Sequence, residues 1–425
     1  MNPDLTAPGA LDGFRARFED AERRVAAFVE EAGRWQRVER EVAALGAAAE
    51  RGVLHGVPLG VKDIFHVDGL PTRAGSLLPP QALAGAEASS VTRLRRAGAV
   101  VVGKTATTEF AYFQPAATRN PHDPERTPGG SSSGSAVAVA SGQATLALGT
   151  QTIGSVGRPA AFCGVVGFKP SYDRVAKDGV VPLSPSLDHV GLFAPDVAWA
   201  RRAAAILCGG WRQPPEPPEE AVWPVLAVPD GPYLDSCQPA GRAHFEASCR
   251  RLAAAGVSIV RQPVMADFAD ICARHRRIVA AEAAAVHADW FGRFGDRYRP
   301  KTAELIDTGR GIDAAVLAAD LAGRAALREE LEAGRRAAGA DLWLSPPAVG
   351  PAPRGLGSTG DPVMNLPWTH AGLPAVVLPA GRPDGLPMGL QLAGGRWGDE
   401  ALLAAAAAVE RALAANGVDA VEAAS

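Results

Sequence analysis

Between Gly52 and Gly191 the chain alternates short apolar runs with glycine turns and Ser/Thr clusters, and this texture restricts the fold more than any other feature. Short β-branched runs read as buried strands, and with helical patterns between them the expected class is α/β. The stretch Gly98 to Thr105, GAVVVGKT, also matches the G-x-x-x-x-G-K-T pattern of a phosphate-cradling loop. Such a loop needs its middle amides free and runs from strand to loop to helix. Here the middle residues are Ala99, Val100, Val101 and Val102, a strand-like run, and the preceding SSVTRLRRAG reads as a helix with Val91 and Leu94 on one face. The order is reversed, so no nucleotide is expected, and Lys104 is read as a residue at a strand end.

The flanking regions read differently. From about Leu11 to Glu50 the apolar residues Phe14, Phe18, Val25, Phe28 and Val29 recur at helical spacings, which predicts a helical arm over residues 1–50 that covers the core or pairs with another subunit. QPPEPPEE, Gln213 to Glu220, reads as an exposed connection. A strand at Val225–Val228, a helix near Pro239–Ala255, a strand at Val257–Val260 and long Ala/Arg/Glu-rich helices follow, so residues 211–340 read as a helical elaboration. DLWLSPP, PAVVLPA and MGLQLAG then return as strands before a last helix from Asp399. Because strands resume after the insert, residues 1–425 are read as one domain.

The net charge of −3 offers no electrostatic reason for a nucleic-acid or anionic-membrane partner. Five cysteines, Cys163, Cys208, Cys237, Cys249 and Cys272, are scattered without C-x-x-C pairs, which reads as free thiols in a cytoplasmic protein. No signal peptide or membrane span is read in the sequence, no His/Cys/Asp/Glu cluster points to a metal, and no cofactor is expected.

Three stretches of the glycine-rich third carry the chemistry. In GVPLGVKDIF, Lys62 ends an apolar run, so it is either at an exposed strand end or kept neutral. In PGGSSSGSAVAVASG, Pro128 to Gly142, the Gly/Ser run opens into an apolar segment, which a flexible tether would not do. In GTQTIGSVGRPAAFCGVVGFKPS, Gly149 to Ser171, Gly154 beside Ser155 permits a turn that aims successive N–H groups at one point, as a developing oxyanion requires. Ser155 is then a candidate nucleophile needing a base. His55, His66, His122 and His189 show no triad spacing and no G-x-S-x-G elbow is present, so a Ser-Lys arrangement remains.

Taken together, these three stretches resemble the amidase signature family of serine amidohydrolases, and GKTATTEFA, SPSLDHVG and GLPAVVLPAGRPDGLPMGLQLAG fit as well. The resemblance implies a large mixed β-sheet with α-helices on both faces. It also implies that Lys62 is the catalytic lysine, Ser131 the serine of a cis peptide bond, and Ser155 the nucleophile, with an oxyanion hole among Thr152, Ile153, Gly154 and Ser155. The expected activity is cleavage of an amide C–N bond through an acyl-enzyme. Ile153 departs from the family's usual Gly or Ala at that position. If the hole needs positive φ there it is distorted; the expectation is an intact hole with a narrower pocket.

Arg158 follows the nucleophile in S-V-x-R-P, an arrangement similar to the malonamidase branch, whereas many other members of the family carry arginine at the position of Gly157. The resemblance implies that Arg158 receives a substrate carboxylate, as in malonamate or a carboxylated urea derivative; the alternative is a structural pairing with an acid such as Asp188. Asp188 itself is read as structural and Glu109 as a strand terminator. Asn365, Trp368, Thr369 and His370 are read as a cluster that lines the pocket, with no catalytic role for His370. The expected assembly is a homodimer acting on a small amide. The competing readings are one subunit of a tRNA-dependent amidotransferase that needs a partner, an accessory protein weakened by Ile153, or a non-catalytic binding protein on the same scaffold.

Overall fold

The computed structural model describes residues 4–47, 50–212 and 223–415; the segment 213–220 read as a linker lies outside them. Ten strands form one mixed sheet: β1 Pro58–Lys62, β2 Val100–Thr105, β3 Leu146–Gln151, β4 Val166–Lys169, β5 His189–Ala194, β6 Leu226–Asp230, β7 Ile259–Pro263, β8 Leu342–Ser345, β9 Ala375–Pro379 and β10 Gly389–Ala393. Their spatial order is β2-β1-β3-β5-β4-β9-β10-β8-β6-β7. Each end is parallel, β2-β1-β3 and β8-β6-β7, while the central pairings from β3 to β8 are antiparallel.

Both faces of the sheet are covered, and the strands show it by alternation. Val101, Leu146, Leu148, Leu192, Val376 and Leu378 enter one apolar core, whereas their neighbours Val100, Val102, Ala147, Phe193 and Val377 enter the other. Side chains two apart share a face, and a sheet buried on both sides is accordingly apolar at nearly every position. The second core is completed by the helices Ser133–Ala140 and Gly157–Cys163, which carry the Gly/Ser and Ser155 stretches.

The N-terminal arm is helical, in two pieces. Helices span Ala10–Val25 and Arg34–Gly46, and between them the chain turns through left-handed Ala26 (φ 48°) and Gly33 (φ 74°). Phe28 bridges to Thr105, and the Val29 N–H donates to the Lys104 carbonyl at 2.8 Å. The extended break thus satisfies backbone groups on the edge strand β2, which would otherwise remain open to pairing. Phe14, Phe18, Val25 and Phe28 all reach the core of the arm's own chain.

The false phosphate loop is strand β2, preceded by the helix Ser89–Arg96. Lys104 is buried there and ion-paired to Asp63 at 2.9 Å. Residues 211–340 contribute strands β6 and β7 to the common sheet as well as helices. All five cysteines are free thiols. Among the described residues no helix is long and apolar enough to cross a membrane, and no cluster of His, Cys, Asp and Glu could hold a metal.

Candidate active site

Lys62 ends β1, which runs between β2 and β3, and is 0 % exposed. Its Nζ lies 2.8 Å from Ser131 Oγ and 2.8 Å from Thr150 Oγ1. No carboxylate forms an ion pair with it among the described residues, in contrast to Lys104. Burial pushes its pKa well below the ordinary lysine value, opposed by the field of Asp188. Of the two alternatives for Lys62, an exposed strand end is excluded. Thr150, on the adjacent β3, falls within the Gly149–Ser171 stretch, where nothing local distinguishes it as a partner of Lys62.

The serine run is a set of struts. Ser132 Oγ donates to the Thr150 carbonyl at 3.2 Å, Ser133 Oγ to the Gly129 carbonyl at 2.7 Å and Ser135 Oγ to the Leu148 carbonyl at 2.8 Å. The Ser132 and Ser135 bonds dock the start of the helix Ser133–Ala140 on β3, while the Ser133 bond closes the turn from Gly129, so the buried hydroxyls are satisfied by backbone carbonyls. The peptide bond Gly130–Ser131 is cis.

Between β3 and the helix Gly157–Cys163, residues Thr152 to Val156 form a tight loop. Gln151 closes it from behind: its Oε1 accepts the N–H groups of Val156 and Gly157 at 2.8 and 2.9 Å. Glycine at 154 is required by close approach and not by left-handed backbone, since its φ is not positive. A Cβ there would stand 2.5 Å from Asn365 Oδ1 and 2.8 Å from Pro362 Cβ. At Gly157 a Cβ would meet Asn365 Nδ2 at 2.5 Å, which leaves no room for the arginine that many family members carry there. Ile153 also avoids positive φ, so the distortion feared for a β-branched residue does not arise, and its side chain projects into the cavity wall.

That cavity is lined by Ser131, Thr152, Ile153, Gly154, Ser155 and Arg158, with Ala111, Tyr112, Phe113, Leu183 and Pro362 closing it. Tyr112, Phe113, Ile153 and Pro362 also line a larger outer cavity, which carries Arg276, Lys301, Glu304 and Asp361. Lys62 stands behind Ser131. The residues singled out in three separate stretches therefore converge on one small chamber.

Arg158 is 1 % exposed, and its hydrogen bonds go elsewhere than to Asp188. Its Nη2 donates to the Gly130 carbonyl at 2.6 Å and to Thr359 Oγ1 at 3.0 Å, while Nε and Nη1 have no partner among the described residues. Burial lowers its pKa to about 10, against a weak pull from Asp361. Nη2 belongs to both two-nitrogen edges of the guanidinium, so with it engaged an anion is held by single bonds and not by the expected fork.

Asp188 accepts from Thr152 Oγ1 at 2.5 Å and from the N–H groups of Leu183 and Ser184, tying the serine loop to a turn. Two other expectations need correcting. Glu109 ends no strand; it is buried beyond β2 and accepts the Arg299 N–H and the Thr302 hydroxyl, capping the helix Pro300–Arg310. The Asn365–His370 cluster does not line the inner cavity but packs behind the loop: Thr369 Oγ1 donates to the Ile153 carbonyl at 2.8 Å. Sequence proximity could not distinguish lining a pocket from bracing its wall.

Comparisons with known proteins show the family and the fold. The family model described as Amidase matches residues 10–403. A glutamyl-tRNA(Gln) amidotransferase subunit from Koribacter versatilis (strain Ellin345) is 31% identical over 88% of this chain and 89% of its own length; its counterpart from Anaeromyxobacter dehalogenans (strain 2CP-C) is 34% identical over 85% and 84%. Among solved structures, one described as an amidase aligns with a TM-score of 0.85 at 33% identity, covering 96% of this chain and 98% of that one. The native peptide amidase from Stenotrophomonas maltophilia aligns at 0.77 and 27%, covering 94% and 92%.

Proposed function

This chain belongs to the amidase family and is an amide-hydrolysing enzyme, and on that footing we propose that it cleaves a small amide bearing a carboxylate, through Ser155, Ser131 and Lys62. In this reading neutral Lys62 takes a proton from Ser131 Oγ as Ser131 takes one from Ser155 Oγ, whose oxygen attacks the amide carbon. The 2.8 Å contact between Lys62 and Ser131 supports the first transfer. The oxyanion accepts hydrogen bonds from backbone N–H groups between Thr152 and Ser155; those of Ile153, Gly154 and Ser155 have no acceptor among the described residues. The relay then runs backwards to protonate the leaving nitrogen. Ammonia or an amine departs, and water releases the acid from the acyl-enzyme by the same steps.

The observation that carries the substrate class is Arg158: a buried guanidinium that has, among the described residues, two unpartnered nitrogens and no carboxylate bound to it, in the wall of the Ser155 chamber. A cation held this way lacks its counterion, and a substrate carboxylate of the malonamate type supplies one. The small chamber, narrowed by Ile153, favours a short acyl group.

A second reading is favoured by the relatives named as subunits of an amidotransferase: the chain works as part of a complex and needs a partner. The first reading predicts a homodimer active alone. The deciding experiment measures ammonia release by the purified chain from malonamate, malonamide, biuret and a neutral aliphatic amide, with Ser155→Ala as control and the solution mass determined in parallel. Preference for the acid, abolished by Ser155→Ala, supports the first reading. Silence on all four, with activity restored by a partner, supports the second.

A further inference from the structure

In a trans peptide the carbonyl of one residue and the N–H of the next point in opposite directions, so whatever holds the oxygen also aims the hydrogen. Three successive peptides of the Ser155 loop are held by their oxygens. The Thr152 carbonyl accepts from His275 Nε2 at 3.1 Å, the Ile153 carbonyl from Thr369 Oγ1 at 2.8 Å and the Gly154 carbonyl from the Arg158 N–H at 3.1 Å. The hydrogens of those same peptides belong to Ile153, Gly154 and Ser155.

The holders are themselves held. Gln151 Nε2 donates to Thr369 Oγ1 at 2.9 Å, occupying an oxygen lone pair and leaving the single hydroxyl proton to be donated. That proton has two acceptors in reach, the Ile153 carbonyl at 2.8 Å and the Asn365 carbonyl at 3.2 Å, and the shorter contact is to the loop. A carbonyl can only accept, so His275 carries its proton on Nε2; its Nδ1 then accepts from His370 Nδ1 at 3.3 Å. All of these side chains are buried.

We propose that Thr369, oriented by Gln151, and His275, oriented by His370, are positioning residues that aim the Ile153 and Gly154 N–H groups at the oxyanion. The inference rests on the oxyanion hole of the preceding section and adds the residues that orient it. None of the four lines the inner chamber, so each acts through the backbone. A donor turned away from the developing charge weakens transition-state binding and leaves ground-state binding nearly intact.

The test uses a fluorophosphonate, which requires no knowledge of the natural amide. Ser155 Oγ bonds to phosphorus, fluoride leaves, the serine proton passes to the Ser131–Lys62 pair, and the phosphoryl oxygen occupies the hole. Thr369→Val keeps the shape and removes the hydroxyl; Thr369→Ser restores the hydroxyl and removes the methyl. Labelling of Ser155 is expected to slow by about tenfold or more in Thr369→Val and to stay within about threefold of wild type in Thr369→Ser, with matching thermal unfolding. On any amide that is turned over, kcat falls while KM changes little. Equal labelling of both variants and wild type, equal losses in both variants, or a wild type unlabelled at Ser155 would each overturn the proposal. A wild type that is labelled with the expected variant pattern but hydrolyses none of the tested amides would leave the aimed hole standing and count against the malonamate-type substrate instead.

Discussion

Replacing Arg158 by methionine should separate anion binding from folding stability. Methionine keeps the unbranched apolar stem and removes the guanidinium with its charge and its donors. The pKa near 10 in place of 12.5 means that burial disfavours the cation by about 3 kcal/mol at neutral pH, at 1.36 kcal/mol per unit. Against this stand the bonds to the Gly130 carbonyl and Thr359 Oγ1, both made by a charged group and worth together about 3–6 kcal/mol. The two nearly offset, so the free enzyme should lose at most about 3 kcal/mol. The substrate carboxylate loses a single charge-assisted hydrogen bond in a desolvated chamber, about 1.5–3 kcal/mol, so kcat/KM for malonamate should fall by roughly 10- to 150-fold. For a neutral amide of the same length it should change by less than about threefold. Steady-state kinetics on both substrates, with thermal unfolding of the free proteins, checks the pattern. A variant that loses both activities equally would show that Arg158 braces the Gly130–Ser131 loop and binds no anion, and the argument from its unpartnered nitrogens would fail.

Two further outcomes follow from the same geometry. With Lys62 as the proposed neutral base, kcat/KM should rise with pH along one acid limb whose midpoint lies well below the ordinary lysine value of 10.5; a limb at that ordinary value would refute the buried base. The sign for stability agrees: between the lowered pKa and 10.5 the unfolded chain binds more protons, so the wild type gains stability as pH rises through that window, and Lys62→Met should flatten the gain. Gly154→Ala should cost about 1–3 kcal/mol of stability and most of the activity, since the new Cβ meets Asn365, itself held by Gln391 at 2.8 Å, and Pro362; denaturant unfolding together with Ser155 labelling measures both.

Much of the site was legible before any coordinates. Lys62, the Gly-Gly-Ser run and Ser155 stand out locally, because a lysine in an apolar run, serines opening into core and a Gly-Ser turn are each unusual within a few residues of chain. Their convergence on one chamber came through the family resemblance, since nothing in the spacing of the three stretches says that they meet. The Asn365–His370 cluster shows the complementary failure: polar and aromatic residues near a strand looked like a pocket lining, and they brace the loop from behind. Glu109 failed for a similar reason, as its partners lie almost two hundred positions later, at Arg299 and Thr302.

What the sequence determined by itself is everything that depends on neighbours along the chain. The strand at Val100–Thr105 follows from β-branched residues after a helix, the returning strands at Leu342, Ala375 and Gly389 from short apolar runs between glycine and proline, and the exclusion of a phosphate loop from their order. Only the tertiary structure decided which buried cations are paired. Lys104 meets Asp63 across two strands, Lys62 meets only hydroxyls, and Arg158 meets a carbonyl and a threonine. The reason is that desolvation and pairing are set by what surrounds a charge in three dimensions, and the sheet order that brings β1 between β2 and β3 is a property of no single stretch.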